Sequence, residues 1–425
     1  MASSYKEMLW AFWLAVLVFV FPIPGTIALR NLLLLVGVIA LLWTGRDNLP
    51  ARIAELRPAA WVLVALTAWI TLHSVLFATD TSGAMDQSRS NWLNQILIAA
   101  IGAWAASQIR PATAGRAVVI ALAAHMLWLL GHQAMLALDG GAWPFKATPF
   151  AGYDYHGMLI SFLFALLAAD RVATLLGRES PLGLGRHPGW ILLGLSIAAD
   201  ISLQSRNSTL VDLLIAASAV LLLLSVRKGS YRSGIAALCA MAAIGTASFS
   251  FDSRWQDFRE AVAIGWSSQS MYWLTNDPAQ CPTEPCIALE KSAYFRIAWA
   301  RQAIDMIGEH PLGIGFGHDS FGRAIEARHG IAGWGSSHSG WLDFALGVGL
   351  PGLALLLVAA VLAMCAGWQH FRRQDNGAGL VLAFFVGGYL FRGLLDGHLT
   401  GWRLGLFGFI CGILITAMKA PSRRT

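Results

Sequence analysis

Arg206, in Gln204-Ser-Arg-Asn-Ser-Thr at the end of an apolar run, is a candidate anion-binding residue. A guanidinium can bind a phosphate through two parallel hydrogen bonds. Asp200 and Asp212 lie within about two helical turns on either side of it. A structural clamp between Arg206 and these carboxylates, with Asp200 as a supporting residue, is the alternative interpretation.

His338 is the candidate proton acceptor, in Trp334-Gly-Ser-Ser-His-Ser-Gly-Trp directly before a long apolar run. Ser336 or Ser337 is the expected N-cap of the helix that begins there, which would place His338 in its first turn. The positive end of the helix dipole disfavours an imidazolium, and a neutral histidine is suited to accept a proton. The alternative is that His338 only caps the helix end.

Two further pairs of residues are expected to form an ion pair and a disulfide. Arg392 and Asp396, in Phe391-Arg-Gly-Leu-Leu-Asp-Gly-His, stand at another helix end and are expected to form an ion pair. Cys281 and Cys286 lie in the polar stretch Cys-Pro-Thr-Glu-Pro-Cys, and outside the cytoplasm a disulfide between them is expected.

Metal and nucleotide motifs are missing from the sequence. It contains no Asp-x-Asp motif, no Walker loop, no Gly-x-Ser-x-Gly elbow and no His-Glu-x-x-His. The second half of the chain also contains His310, His318, His329 and His338, but their spacings match no known pattern of metal ligands. We therefore expect neither a metal site nor a cofactor.

The composition places these residues in a membrane protein. The chain has 425 residues, of which 56% are hydrophobic and only 13% charged, whereas soluble domains carry about 25% charged residues. The formal charge of +6 could indicate a nucleic-acid partner. The basic residues, however, are dispersed in short connections between apolar runs, so we expect membrane lipids and no nucleic acid.

Twelve segments approach the roughly 20 apolar residues that cross a bilayer. We therefore predict an all-α polytopic fold of about twelve transmembrane helices, near residues 8–24, 27–44, 59–78, 92–108, 116–137, 156–176, 189–204, 208–226, 233–250, 341–368, 378–395 and 402–418. The first segment is interrupted by Pro22 and Pro24. No small-residue cleavage site follows it, so we expect it to be a retained helix rather than a signal peptide.

The distribution of Lys and Arg predicts the orientation, since cytoplasmic connections carry the excess of basic residues. Alternate connections, together with both termini, hold most of them, including Arg46, Arg110, Arg178 and Lys228. We therefore expect cytoplasmic termini and a large external loop over residues 251–340. In a bacterium this loop lies in the periplasm and the chain is a multi-pass protein of the inner membrane.

The long loop is expected to contain a helix of its own and to separate two groups of membrane helices. From Ala293 to Ile307 the spacing of apolar residues predicts an amphipathic helix that ends before Pro311 and projects Arg296 toward its polar side. The glycines of Gly313-Ile-Gly-Phe-Gly then predict a tight turn. The expected domains are helices 1 to 9 (residues 1–250), a periplasmic loop with part of the active site (251–340), and helices 10 to 12 with a cytoplasmic tail (341–425).

As an ordered set, these motifs resemble the O-antigen ligase family, which shares its core with O-antigen polymerases and some protein O-oligosaccharyltransferases. The matching elements are Ser205-Arg206, Arg296, His310-Pro-Leu-Gly-Ile-Gly-Phe-Gly and His338-Ser-Gly-Trp-Leu-Asp-Phe-Ala-Leu-Gly-Val-Gly-Leu-Pro-Gly. The resemblance covers residues 190 to 415, and the first half of the chain matches in hydropathy only. Ser339 departs from the family, in which an asparagine often follows the histidine, and this puts an acceptor-sugar contact at that position in doubt.

The resemblance implies transfer of a glycan from undecaprenyl diphosphate to a sugar hydroxyl of lipid A-core in lipopolysaccharide biosynthesis. Arg206 and Arg296 would bind the donor diphosphate in place of a metal, and His338 would activate the acceptor hydroxyl, with inversion at the anomeric carbon. An O-antigen polymerase would use the same positions. A transporter of lipid-linked oligosaccharides is a weaker alternative, because the sequence shows no internal repeats and its polar candidates cluster on one side.

Overall fold

The computed structural model describes residues 2–44, 56–226, 258–267, 269–283 and 290–418, and within these ranges the chain is helical with no β-strand. The first half comprises α1 (Ala2–Val20), α2 (Ile27–Thr44), α3 (Arg57–Leu76), α4 (Thr81–Ser88) followed by a π-helical turn (Arg89–Leu93), α5 (Asn94–Ser107), α6 (Pro111–Gly140) and α7 (Tyr153–Leu175). The second half comprises α8 (Arg186–Leu203), α9 (Arg206–Val226), α10 (Phe258–Ser267), α11 (Tyr272–Thr275), α12 (Lys291–Glu309), α13 (Ser320–His329), α14 (Gly340–Arg373), α15 (Ala378–Leu395) and α16 (Gly401–Ala417).

Eleven of the twelve predicted apolar segments coincide with helices, and the ninth, 233–250, lies outside the described residues. Among the described helices, six have the length and hydropathy to cross a membrane: α3, α6, α7, α9, α14 and α15. Two more, α2 and α16, are apolar but slightly shorter. The all-helical fold is thus confirmed, and the total of twelve crossings stays a prediction.

The first helix differs from its predicted bounds of 8–24. It begins at Ala2 and ends at Val20, because Pro22 and Pro24 lack the N–H groups that would continue the helix. The hydroxyl of Thr26 caps this helix end by donating to the carbonyl oxygens of Val20 (3.0 Å) and Ile23 (2.6 Å). The two prolines therefore form the turn between α1 and α2.

Small residues let the bundle helices approach closely, as is common where helices pack within a membrane. A Cβ atom at Gly412 of α16 would lie 2.2 Å from the backbone oxygen of Ala99 in α5. A Cβ atom at Gly102 would lie 2.4 Å from the backbone oxygen of Phe409. These contacts fix α16, which carries Arg403 at its start, against α5.

The long helix α14 is broken at Gly349, whose backbone has φ 76° and ψ 173°. The segment after α12 forms hydrogen bonds with the helix backbone just before this break. Ile314 N–H donates to the Leu346 carbonyl (2.8 Å), and Gly315 N–H donates to the Gly347 carbonyl (2.9 Å). In return, Leu350 N–H donates to the Pro311 carbonyl (2.9 Å). The glycine run is therefore more than the predicted turn, because it pairs with α14 and positions the buried first part of that helix.

The loop region has a second hydrophobic core beside that of the bundle. It is formed by buried side chains of α11, α12 and α13 together with the first part of α14, including Tyr272, Tyr294, Met306, Phe321 and Leu346. The predicted helix is present as Lys291–Glu309, and it ends before Pro311 as expected. This core holds α12 and the start of α14 together.

Candidate active site

A cavity of about 510 Å³ lies where four helices, α7, α9, α12 and α14, begin and two, α8 and α15, end. The residues at the N-terminal ends of α7, α9, α12 and α14 line it, and α15 contributes Leu394, Leu395 and Asp396 at its C-terminal end. Helix N-termini carry partial positive charge and favour anions. The backbone alone therefore makes this cavity suitable for a negatively charged group.

Arg206 and Arg296 both line the cavity at the start of α9. Arg206 is the first residue of α9, and its Nη2 lies 3.2 Å from Oε1 of Glu290. Arg296 comes from the second turn of α12, and its Nη1 donates to Oδ1 of Asn207 (3.0 Å). Asn207 is fixed in turn, because its Nδ2 donates to the Leu395 carbonyl (2.9 Å). Two residues that are 90 positions apart in the sequence thus present guanidinium groups to one site.

His338 faces the same cavity but does not lie in the first turn of α14. The helix starts at Gly340 with Ser339 as N-cap, so the predicted N-cap at Ser336 or Ser337 is wrong. The reason is that His338 adopts a left-handed conformation (φ 60°), which a right-handed helix does not accommodate. The carboxylate of Asp343 stabilises this turn by accepting the Ser337 N–H (2.8 Å).

The surroundings of His338 favour the neutral imidazole. Its pKa is lowered, first because the protein around it removes hydration and second because Arg296 repels the charged form. Asp396 and Asp154 act in the opposite direction without reversing the shift. The neutral state was predicted from the helix dipole, whereas the structure attributes it to desolvation and to a neighbouring guanidinium. A neutral histidine that is exposed to the cavity can accept a proton.

Asp396 is ionised and held by arginines. Burial is the largest single influence and would raise its pKa, but the opposing charges that face the carboxylate, Arg392 first and Arg403 among the others, together outweigh burial and bring the pKa below its ordinary value. The structure contains the expected ion pair, with Nη2 of Arg392 at 3.4 Å from Oδ2 of Asp396. Arg403 lies 3.8 Å from the same carboxylate and 2.9 Å from that of Asp154. Burial lowers the pKa of His398 to about 3, so this neighbour stays neutral.

The other predicted supporting residues lie at different depths. Ser339 lines the cavity, and its backbone N–H donates to the hydroxyl of Ser337 (3.2 Å). Arg392 lies behind the cavity, where it also donates to the hydroxyl of Ser208 (3.0 Å). Asp200 is buried and accepts a hydrogen bond from Thr209 (2.8 Å), whereas Arg206 forms an ion pair with Glu290. Asp200 thus stabilises the first turn of α9 through Thr209 rather than through an ion pair with Arg206.

The predicted disulfide falls partly outside the described residues. Cys281 is disulfide-bonded, and Cys286 is not among the described residues. The pairing of these two cysteines therefore stays a prediction.

Sequence reasoning missed several residues of the site. The acidic ones are Asp154, which lies two residues before the predicted sixth span, and Glu290, which caps α12 by accepting the Ala293 N–H (2.6 Å). Both positions are helix starts, where carboxylates are favoured, and this was the available signal. Lys146 also lines the cavity. Trp299 falls within the amphipathic helix predicted from Ala293 to Ile307, and its ring stacks on His338.

Within the part of the chain that the structure describes, no group of three or more His, Cys, Asp or Glu side chains is placed to hold a metal ion. The cavity carries its positive charge on side chains instead. Three cations and three carboxylates line it, and Arg392 and Arg403 add two cations behind the carboxylates.

Comparison with known proteins identifies one matching family. Residues 191–357 match the family model described as O-antigen ligase. The match confirms the resemblance predicted from the motifs, and it covers the segment that carries Arg206, Arg296 and His338. It supports activity of the O-antigen ligase or polymerase type on lipid-linked glycans, in a membrane protein. No match to a curated protein was found.

Proposed function

We propose that this protein is an O-antigen ligase of the bacterial inner membrane, a glycosyltransferase of lipopolysaccharide biosynthesis. It transfers a glycan from undecaprenyl diphosphate to a sugar hydroxyl of lipid A-core, with inversion and without a metal ion. The observation that carries the proposal is the convergence of four helix N-termini, Arg206, Arg296 and a neutral His338 on one cavity.

The donor diphosphate binds at the start of α9. Arg206 and Arg296 approach the same helix N-terminus from two different segments, and a guanidinium matches the geometry of two phosphate oxygens. The leaving diphosphate carries its negative charge away, so fixed positive charge stabilises the transition state as the bond breaks. The two arginines supply the charge that a divalent metal supplies in many glycosyltransferases.

The acceptor reacts at His338. The neutral imidazole takes the proton of the acceptor hydroxyl while the acceptor oxygen bonds to the anomeric carbon. The bond from that carbon to the diphosphate oxygen breaks, and both electrons leave with the diphosphate. A single displacement of this kind inverts the anomeric configuration. Cleavage of the donor bond supplies the driving force, so no further cofactor takes part.

Contacts between connections support the proposed orientation, with both termini in the cytoplasm and the cavity in the periplasm. On the predicted cytoplasmic side, Arg110 contacts Glu7 (2.7 Å), and an ion pair joins Arg178 to Asp375. On the predicted periplasmic side, Arg403 contacts Asp154 (2.9 Å). The described part of the predicted loop reaches the same side through Arg296, which lines the same cavity as Asp154. The predicted ninth span precedes this loop and lies outside the described residues. Counting it, we propose twelve transmembrane helices and the three domains expected from the sequence.

A polymerase is the second candidate, because the family match does not separate it from a ligase. It would extend the glycan on a second undecaprenyl diphosphate carrier and use the same residues. A transporter is less favoured, because the polar groups of the cavity are those of a transfer site at the predicted periplasmic ends of the helices.

The products of the purified protein decide between these activities. The protein is mixed with undecaprenyl-diphosphate-linked glycan and lipid A-core in buffer containing EDTA, and the products are separated on a gel. Glycan-capped lipid A-core with inverted anomeric configuration by NMR is the expected result. Longer carrier-linked glycan with untouched lipid A-core would establish a polymerase. Loss of activity in EDTA that returns with Mg²⁺ or Mn²⁺ would contradict the proposed use of arginines in place of a metal.

A further inference from the structure

A second groove, of about 430 Å³, opens between α2, α5 and the start of α16. It shares no lining residue with the candidate active site. Its polar mouth is formed by side chains at the starts of α2 and α5, namely Arg30, Asn31, Ser90, Asn91, Asn94 and Gln95. Its inner walls are apolar, with Leu34, Leu35, Val38, Leu97, Ile98 and Ile101.

The dimensions of this Arg30 groove fit one leaflet of a bilayer. Eight residues separate Arg30 from Val38 on α2, which corresponds to about 12 Å along a helix. Half of a hydrocarbon core of about 30 Å is about 15 Å. Both α2 and α5 run from a polar start into an apolar wall in the same direction, so the groove matches a lipid chain below a polar headgroup.

The charge at the mouth selects an anionic headgroup. Among the described residues that line the groove, Arg30 is the only charged one, and none of them is a carboxylate. Its guanidinium lies over the ring of Phe21, 5.2 Å from the ring centre. Within the described residues, no acidic side chain forms an ion pair with Arg30. An unpaired arginine at a membrane boundary is costly and favours a partner of opposite charge.

We propose that the Arg30 groove binds one anionic phospholipid, with its phosphate on Arg30 and the neighbouring asparagine amides and one acyl chain along the apolar walls. The site adjoins the carboxylate side of the candidate active site. Trp402 lines the groove and stacks on Tyr155 (ring centres 5.3 Å apart), over which Arg403 lies at 4.6 Å. The same Arg403 forms an ion pair with Asp154 (2.9 Å). A bound lipid therefore stabilises Trp402 and, through Tyr155, the arginine that pairs with this active-site carboxylate.

Native mass spectrometry of the full-length protein tests this site without any transfer assay, so its outcome is independent of the proposed ligase activity. The protein is released from nanodiscs that contain equal amounts of phosphatidylglycerol and phosphatidylethanolamine. We expect one retained phosphatidylglycerol, and an about tenfold lower occupancy in Arg30→Gln, the change expected for loss of a charge-assisted hydrogen bond. Leu34→Trp, which fills the groove, should also lose the lipid.

Matched controls lie outside the groove. Arg89 is exposed and Leu32 is 58% exposed, and neither lines the groove; Arg89→Gln and Leu32→Trp should therefore retain the lipid as the wild type does. Equal retention by Arg30→Gln and the wild type would overturn the proposal, and so would equal retention of the two phospholipids. Displacement of the lipid by undecaprenyl phosphate would assign the groove to the carrier instead. Displacement by inorganic phosphate alone would show a phosphate site without a chain site.

Discussion

The imidazole of His338 stacks on the indole of Trp299, with ring centres 5.2 Å apart and an angle of 16° between the planes. Trp299 is fixed by two contacts: its Nε1 donates to the Trp273 carbonyl (3.2 Å), and its ring stacks on Phe295 (5.5 Å). A residue of the loop helix α12 thereby positions a histidine at the start of α14. The segment that contains α12 is therefore part of the candidate active site rather than a cover over it.

Trp299→Ala should lower kcat for glycan transfer, because His338 then loses the surface that fixes its ring. Misplacement of a catalytic group by about 1 Å costs on the order of 10²-fold in rate. Trp299→Phe keeps a ring for stacking and should recover most of the rate. Steady-state kinetics on both variants would check this. Trp266→Ala, at a 53% exposed tryptophan of the same loop, is the control, and an equal loss in the Ala and Phe variants would argue against stacking.

The pH profile should show an acid limb below pH 6.5. His338 acts as a base only when neutral, and its pKa is lowered from 6.5 by desolvation and by Arg296. Transfer should therefore persist at pH 6.5 and fall as the pH drops through the lowered pKa. The measurement is kcat/KM between pH 4.5 and 8.

Two variants test the direction in which the acid limb of the pH profile should move. Arg296→Gln removes a charge that lowers the pKa of His338, so the acid limb should move to higher pH. Asp154→Asn removes a charge that raises it, so the limb should move to lower pH. Shifts in the same direction, or no shift at all, would show that another group controls the limb.

Arg206→Lys should reduce transfer by about 10-fold to 100-fold, because an ammonium group cannot form the two parallel hydrogen bonds of a guanidinium to a diphosphate. The measurement is the initial rate of product formation at saturating lipid A-core. Arg301→Lys is the matched control on α12, since Arg301 donates to the Trp266 carbonyl (2.7 Å) outside the cavity. Near-normal transfer by Arg206→Lys would indicate a structural ion pair with Glu290 as its main role.

Gly349→Ala and Gly313→Ala should each destabilise the protein by about 1–3 kcal/mol, the cost of placing a side chain in a backbone conformation that favours glycine. A Cβ atom at Gly349 would lie 2.4 Å from the backbone of Leu312, and one at Gly313 would lie 2.5 Å from the backbone N of Gly349. Thermal unfolding in detergent checks this. Gly308→Ala in α12, where a Cβ atom has nothing within 4 Å, should be neutral or stabilising by up to about 1 kcal/mol. Equal unfolding temperatures for all three variants would refute the tight pairing.

The sequence predicted the long apolar helices, because each needs only a long apolar run, but not the short helices α4, α10, α11 and α13. It indicated Arg206 and His338 from their local sequence, and the role of Arg296 from the family resemblance. It did not predict how the loop joins the bundle. The pairing of Ile314 and Gly315 with the break in α14 depends on contacts between distant segments, which local periodicity does not record. The left-handed backbone of His338 likewise depends on Asp343, five residues later in the helix, so its position before α14 was not apparent.

The proposed transfer reaction depends most on His338, and the most direct test compares the wild type with His338→Ala in transfer of glycan from undecaprenyl diphosphate to lipid A-core. His310→Ala is the control, because His310 is exposed at the end of α12 and does not line the cavity. We predict that His338→Ala loses on the order of 10²-fold or more of the rate, as expected for removal of a general base, while His310→Ala transfers normally. Equal transfer by the wild type and His338→Ala would contradict the assignment of this cavity as the site of glycan transfer.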